Sequence, residues 1–285
     1  NDIAGDTASS TVGGRYVFHH MTYSSGVLNE EGTAVDEDTR TRWPIHEVGR
    51  NADIFPEKFG TILQANSALH LRASHIHPNG IQETTAHLEF GFVFHPKGYQ
   101  PEYGNRARVR LGNGTDIDVV GGRAGQEFHA FAVLEQHTKL VAFEPHLHAP
   151  GTRMCIEAIW GSNHFTLNCV GYDHSWVKQY VYEDDAAPLL PKGTIMHIVG
   201  FLDTTAGNEN VADSRNWAGG GRRSVANMFI DLGYSVELTE EQFQSEMADR
   251  RAKMKSRNDY DIGCPLCWAP VPTEMTSTTD DGGQQ

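Results

Sequence analysis

The chain has 285 residues, a formal net charge of −14, and a composition that is 39% hydrophobic and 21% charged. This composition is typical of a globular protein with one large or two ordinary domains, and it excludes an intrinsically disordered chain. The negative charge argues against nucleic acid or an anionic membrane surface as a partner, because both require a basic footprint. No stretch of the sequence approaches the roughly 20 apolar residues of a membrane span.

The first half of the chain predicts short strands separated by polar loops. An arm of small polar residues (1–14) precedes a strand, Arg15–Thr22, that carries the doublet His19-His20. Asn29–Arg42 is polar and predicts a long loop. The segments Ala68–His77 and Ala86–His95 alternate in polarity around the turn residues Pro78-Asn79-Gly80, and we expect them to form a hairpin.

The second half repeats this pattern with strands at short intervals and Gly, Pro or Asn at the turns, which is typical of antiparallel sandwiches. The predicted strands are Arg106–Leu111, Asp116–Val120, Glu127–Val133, Lys139–His148, Met154–Trp160, Phe165–Tyr172, Thr194–Asp203 and Ser224–Val236. Leu238–Arg257 then changes to a charged helical pattern. Thr239 can cap this helix with Gln242, and Phe243, Met247 and Met254 mark an apolar side that packs on the second sandwich or on a neighbouring molecule.

These elements predict an all-β fold of two antiparallel, jelly-roll-like β-sandwich domains plus a C-terminal helix. The segment Pro96–Gly104 contains two prolines and two glycines and marks the boundary. We therefore expect an N-terminal domain over residues 1–100, a C-terminal domain over residues 101–236, and a helix with a polar, acidic tail over residues 237–285.

The four cysteines fall into two pairs. Cys155 and Cys169 flank the turn residues Gly161–His164 almost symmetrically, so they could face each other across two strands as a disulfide; two buried thiols are the alternative. A disulfide would indicate an oxidising compartment, so we expect a periplasmic or secreted protein, and the start at Asn1 is consistent with a processed chain. Cys264 and Cys267 lack the context of a haem or thioredoxin-like motif, and we expect a local or long-range disulfide near the C-terminus.

Histidines in particular spacings are the main chemical signal of the sequence. On an extended strand, His146 and His148 point the same way and can bind one metal ion. A soft sulfur ligand from the distant Met228 would favour copper that cycles between Cu(I) and Cu(II). The doublet His19-His20 can bind one ion only at a bulge or loop, because adjacent strand residues face opposite ways. A further imidazole could come from His75 or His77, which form another His-x-His.

Several segments, in this order, resemble the copper type II, ascorbate-dependent monooxygenases, the family of peptidylglycine α-hydroxylating and dopamine β-monooxygenases, and particularly its bacterial relatives. The segments are Val17–Met21, Ser74–Gly80, Pro145–Gly151, Gly171–Trp176, Leu190–Thr194 and Ser224–Met228. The resemblance implies two jelly-roll-like domains that face each other across a solvent-filled cleft, with one copper ion on each. It also implies a small-molecule substrate whose C–H bond is hydroxylated with O2 and an ascorbate-like reductant.

The resemblance also assigns ligands and points to the substrate. It implies that His19, His20 and His75 hold the electron-donating copper, and that His146, His148 and Met228 hold the copper at which O2 reacts. The peptide-hydroxylating members have a basic residue where this chain has Glu144, an Asn and a Tyr where it has Ile230 and Leu232, and Asp-Glu where it has Ala226-Asn227. We therefore expect a substrate other than a peptide C-terminus, such as an amine or an uncharged compound, or a loss of catalysis.

Two other functions remain open from the sequence. A cupin-type iron or zinc enzyme would use His146 and His148 with His197, although the spacing of its second motif is off by one residue. A non-catalytic copper-binding or electron-transfer subunit of a larger assembly would explain the substitutions before Met228. In that case the C-terminal helix and tail would contact a protein partner.

Overall fold

The structure, a computed structural model, describes residues 18–33, 35–47, 50, 52–76, 88–103, 106–107, 111–113, 117–215, 218–221 and 226–257. Several predictions lie outside these residues: the N-terminal arm, the turn Pro78-Asn79-Gly80, His77, the pair Cys264 and Cys267, and the acidic tail. Within the described ranges, no helix has the length and apolar character needed to cross a bilayer.

The first sheet is formed by the N-terminal part of the chain. Its strands are β1 (Phe18–Val27), β2 (Thr41–Arg42), β3 (His46–Glu47) and β4 (Ser67–Ile76). All three other strands pair with β1, and all pairs are antiparallel. In the ladder with β4, Phe18 faces Ile76 and His20 faces His75, so His19 is an extra residue in β1. This register shift is a β-bulge.

The predicted partner of β4 is wrong. β4 pairs with β1 and not with the following segment, and residues 88–95 contain no strand in the described structure. The expected loop Asn29–Arg42 contains a short 3-10 helix (Glu37–Thr39) and ends in β2. Alternating polarity had identified a strand correctly at β4, but it carries no information about which strand pairs with it.

The remaining strands follow in chain order. They are β5 (Arg106–Ala107), β6 (Gly112–Asn113), β7 (Asp118–Val119), β8 (Gln126–Val133), β9 (His137–Phe143), β10 (Pro145–His146), β11 (Gly151–Trp160), β12 (Asn163–Gly171), β13 (Tyr180–Val181), β14 (Leu189–Leu190), β15 (Ile195–Leu202), β16 (Ala218–Gly219), β17 (Phe229–Asp231) and β18 (Tyr234–Leu238). The predicted strand Ser224–Val236 is therefore divided into β17 and β18, and Lys139–His148 is divided into β9 and β10.

Two antiparallel sheets enclose the main core. One has the order β12-β11-β15-β8 and the other the order β13-β9-β18-β5, with β14 paired to β9. Side chains of both sheets form a single buried cluster that includes Met154, Ile156, Met196 and Ile198 from the first sheet and Leu140, Phe143 and Leu190 from the second. Two smaller sheets have the strand orders β10-β17-β6 and β16-β7.

The helix α1 (Glu240–Arg257) covers the other side of the β9 sheet. Phe243 and Met247 pack there in a second buried cluster with Val236, Phe59 and Tyr103. The predicted cap is confirmed: the Thr239 amide donates to Gln242 Oε1 (2.9 Å), and the Gln242 amide donates to Thr239 Oγ1 (3.2 Å). The side chain of Met254 lies outside the described residues.

The all-β fold with a C-terminal helix is confirmed, whereas the jelly-roll topology and the domain division at residue 100 stay predictions. The disulfide Cys155–Cys169 is also confirmed. It joins directly opposed residues of β11 and β12, which are connected through a tight turn at Gly161 (φ +58°). A positive φ at this position explains the glycine.

Candidate metal centre

Three side chains from distant parts of the chain meet at one buried point. His20 of β1, Glu47 of β3 and His146 of β10 each offer one ligand atom, and these atoms lie within 4.8 Å of one another. The His146 Nδ1 atom is 3.1 Å from Glu47 Oε1, and His20 Nδ1 is 3.9 Å from Glu47 Oε2. The two imidazole rings are 5.6 Å apart between centroids. We call these three residues the central triad.

The local fold explains two members of the central triad. His20 and Glu47 are directly opposed in the β1–β3 ladder, and His75 is opposed to His20 in the β1–β4 ladder. Opposed residues of antiparallel strands share a face, so the backbone aligns these three positions across the sheet. Two adjacent residues of a strand, such as His19 and His20, can bind one ion only where the strand is irregular. The bulge at His19 is such an irregularity. The side chains of His19 and His75 lie outside the described part of the structure, so their roles as ligands stay predictions.

Glu47 is the residue that sequence reasoning missed. Its side chain is completely buried, and neither carboxylate oxygen accepts an aligned hydrogen bond from the described residues. Burial raises the pKa of Glu47 well above its usual value, although the nearby charge of Arg50 opposes this shift. A buried carboxylate between two imidazoles is costly unless a proton or a cation neutralises it. A single Glu after His46 gives no spacing signal that could have revealed it.

A buried ion-pair network lies behind the central triad. Arg50 contacts the carboxylates of Glu144 and Asp53, and Gln179 Nε2 donates to Glu144 Oε2 (3.0 Å). Burial raises the pKa of Glu144 to about 8, with Arg50 acting in the opposite direction. The raised pKa and the contact with Arg50 both mean that Glu144 does not present a negative charge to a substrate. The expectation that a peptide carboxylate is disfavoured stays a prediction, based now on Ile230 and Leu232.

His148 has an unusual backbone beside the central triad. Its φ of +64° lies in the left-handed region, and its side chain is buried. His148 Nδ1 lies 3.0 Å from the carbonyl oxygen of Ala226, and its ring centroid is 4.9 Å from that of His146. A backbone partner for Nδ1 fixes the ring and directs Nε2 away from that carbonyl, an arrangement common among metal-binding histidines. Such strained conformations cluster at functional sites.

Met228 is positioned beside the His-x-His segment by its backbone. The Met228 amide lies 3.4 Å from the carbonyl oxygen of Leu147, the residue between His146 and His148. The neighbouring Ile230 pairs with His146 in the β10–β17 ladder. The chain thus brings residues about 80 positions apart together, whereas ligation by the Met228 sulfur stays a prediction.

His174 is a second residue that the sequence did not single out as part of the site. It is completely buried, and its ring centroid lies 6.2 Å from that of His148. It belongs to the segment Gly171–Trp176, so its place in that motif was the available signal. Together with the central triad and His148, it makes the region rich in buried imidazoles.

The donor set fits a transition-metal ion. Imidazole nitrogens suit zinc, copper, iron and nickel, and a carboxylate is a frequent additional ligand. Among the described residues here, the carboxyl groups of Glu47, Glu144 and Asp53 lie close to the guanidinium of Arg50. A bound cation would favour the ionised form of Glu47, whose pKa burial raises. The resemblance implies that His20 and His146 bind different copper ions across a cleft, but here their rings are in contact distance.

A cavity of about 340 Å³ opens next to this region. Its lining includes Pro145, which precedes His146, and the aromatic side chains of Tyr172, Trp176 and Tyr180. Burial, and then the charge of Glu47, raise the pKa of Tyr172, so its hydroxyl remains protonated. The cavity has the size of a small-molecule site, and its lining combines these aromatic rings with the charged side chains of Asp173 and Lys178.

The chain matches no protein-family model and no curated protein. The resemblance to the copper monooxygenases therefore rests on the motifs in the sequence. His197, which a cupin-type centre would combine with His146 and His148, contacts Glu157, His129 and Phe131 instead.

Proposed function

We propose that this protein is a copper-dependent monooxygenase that hydroxylates a C–H bond of a small organic substrate with O2 and an ascorbate-like reductant. The observation that carries the proposal is the convergence of His20, Glu47 and His146 at one buried point, with His148 beside them. The motif resemblance selects copper from the metals that this donor set could bind. Copper would supply one-electron redox chemistry and the activation of O2.

The surrounding residues have defined roles in this proposal. The carbonyl of Ala226 orients the His148 ring. Arg50 pairs with Glu144, which leaves Glu47 as the carboxylate beside the imidazoles. The cavity lined by Tyr172, Trp176 and Tyr180 would bind an amine or an uncharged substrate next to His146. The disulfide supports a periplasmic or extracellular location. A protein partner at the C-terminal helix belongs to the same proposal.

A second candidate rests on the carboxylate. Two histidines and one carboxylate with open positions are the ligand set of non-haem Fe(II) oxygenases. The central triad has this composition, so an iron-dependent oxygenase is the alternative. It would use His20 and Glu47 from the first sheet, and Met228 would have no role as a ligand.

The test combines metal analysis with turnover. The purified protein is analysed for copper and iron, and O2 consumption with ascorbate is then measured against a panel of amines and uncharged aromatic and aliphatic compounds. The proposal expects copper and substrate-coupled O2 uptake, both lost in His146→Asn and retained in His70→Asn, an exposed histidine of β4. Iron instead of copper would favour the second candidate. Tight copper binding without product would favour the non-catalytic copper protein, and no bound metal would overturn all three.

A further inference from the structure

A second histidine cluster lies on the first sandwich sheet and has no part in the proposed function. Glu157, His164 and His197 each offer a ligand atom, and these atoms lie within 4.8 Å of one another. Both imidazoles approach the same carboxylate oxygen: His197 Nδ1 is 2.7 Å and His164 Nε2 is 2.8 Å from Glu157 Oε2. We call these residues the sheet triad.

The pairing of three strands produces the sheet triad. Glu157 of β11 is directly opposed to His197 of β15, so their side chains share a face. His164 of β12 is opposed to Ile159, two residues after Glu157 on the same face of β11. The three side chains therefore form a row across the sheet, held by the long ladders that join β12, β11 and β15.

His197 is also held by two residues outside the sheet triad, His129 and Phe131. His129 Nδ1 is 3.0 Å from His197 Nε2, and the ring of Phe131 stacks on His197 at 4.2 Å between centroids with an interplanar angle of 3°. A partner on the second ring nitrogen fixes the tautomer and orientation of a ligating histidine. His197 Nδ1 is thereby directed toward Glu157.

The exposure of the sheet triad leaves access for an ion and a water molecule. The side chains of Glu157 and His197 are only 14% and 11% exposed, whereas that of His164 is 56% exposed. Tetrahedral zinc holds nitrogen and oxygen ligands at about 2.0–2.2 Å, which separates the ligand atoms by about 3.3 Å. Both contacts of Glu157 Oε2 therefore need to open by about half an ångström. A turn of the exposed His164 side chain opens one contact, and a rotation of the Glu157 carboxylate opens the other.

We propose that Glu157, His164 and His197 form a zinc-binding site with one position open to solvent, separate from the central triad. His129 acts as a positioning residue through His197 Nε2. Zinc takes the place of the direct contacts between the two imidazoles and Glu157 Oε2, so binding ties β11, β12 and β15 together. Two imidazoles and one carboxylate plus water is an established ligand set for zinc.

The test uses the metal-free full chain and Zn²⁺ alone as the probe. Zinc can also enter the central triad, which has the same kinds of ligand, so the position of each bound ion is measured as well as the amount. Zinc uptake is measured by titration against a chromophoric competitor, and its location by anomalous scattering at the zinc edge. We expect one zinc equivalent at the sheet triad of the wild type, with an anomalous peak between Glu157 and His197.

Variants decide between this site and a purely hydrogen-bonded cluster. His164→Asn alters an exposed side chain and is expected to leave the fold intact while weakening zinc binding at least tenfold; Glu157→Gln is expected to do the same. His129→Gln should lower the affinity about 10-fold or more, as outer-shell changes do. His70→Asn serves as the control. Equal zinc occupancy of the sheet triad in wild type and His164→Asn, or no zinc peak at the sheet triad of the wild type, would overturn the proposal.

Discussion

At the scale of single residues, His148 combines a left-handed backbone with a buried imidazole. For residues other than glycine, this conformation costs about 1–2 kcal/mol, because Cβ approaches the following carbonyl oxygen. Asn, Asp and His tolerate it better than most side chains, which restricts the substitutions available at this position. The strain is maintained by the surrounding core, where Leu147 is completely buried and Met228 contacts its carbonyl.

This strain gives the first prediction. His148→Gly and His148→Ala both remove the imidazole, but only alanine retains the cost of the left-handed backbone. We expect the glycine variant to be more stable by about 1 kcal/mol, measured by urea unfolding of the metal-free protein. Ala252→Gly in the exposed part of α1 is the control, where glycine should instead be destabilising by about 1 kcal/mol. If the glycine and alanine forms ranked in the same order of stability at positions 148 and 252, the backbone of His148 would not be strained.

Glu47 gives the second prediction at this scale. Glu47→Gln keeps the shape of the side chain but removes the charge that would neutralise a bound cation. We expect metal affinity to fall at least about 10-fold, measured by competition with a chelator. The stability of the metal-free protein should change by less than about 1 kcal/mol, because the buried carboxyl is itself costly. Glu31→Gln is the exposed control; an unchanged affinity in Glu47→Gln would exclude Glu47 as a ligand.

At the scale of secondary-structure elements, Lys139 links β9 to the helix α1. Its side chain is 1% exposed, and its ammonium lies 2.6 Å from Asp184 Oδ1 and 3.3 Å from Glu246 Oε2 on α1. Burial lowers the pKa of Lys139 despite its hydrogen bond to Asp184. Burial acts to raise the pKa of Asp184, but its hydrogen bond to Lys139 and the nearby positive charges lower it overall.

These shifts predict how stability depends on pH. Because the pKa of Lys139 is lowered on folding, the unfolded state binds more protons just below pH 10.5, and the stability of the wild type should rise with pH there. Because the pKa of Asp184 is lowered, its contribution is present above pH 3.8 and should be lost as pH falls further. In Lys139→Met the trend near pH 10.5 should vanish and the acid trend should shrink, because Arg250 and Lys253 remain near Asp184. Both trends should persist in Lys192→Met, an exposed control, as measured by urea unfolding across pH. Parallel pH profiles for wild type and Lys139→Met would contradict this.

The elements also show where sequence reasoning succeeds. The hairpin of β11 and β12, its disulfide and the cap of α1 were predictable, because each depends on residues close together in the sequence. The pairing of β4 with β1 was not, because two alternating segments do not specify their partners. Glu47 and the contact between His20 and His146 depend on such long-range pairing, so they could not be read from spacing.

At the scale of the whole molecule, the central triad connects two parts of the fold that the sequence treats as separate. His20 and Glu47 belong to the first sheet, and His146 belongs to β10, which precedes the sandwich strand β11. Phe59 and Tyr103 provide a second connection by packing against β18 and α1. A metal ion at the central triad would therefore contribute to the cohesion of the molecule as well as to its chemistry.

This connection predicts where metal removal has its effect. A ligand present at 100 times its dissociation constant stabilises the folded state that binds it by about 2.7 kcal/mol. This corresponds to about a 100-fold change in the equilibrium constant for local opening. Amide hydrogen exchange in β1 and β3 should therefore accelerate by up to about 100-fold when a chelator removes the metal. Exchange in β11 and β15 should change far less, because the disulfide and the main core hold these strands independently. In Glu47→Gln, the metal-dependent difference in β1 and β3 should shrink. Equal acceleration in both regions would mean that the metal stabilises the fold globally and does not act through the central triad.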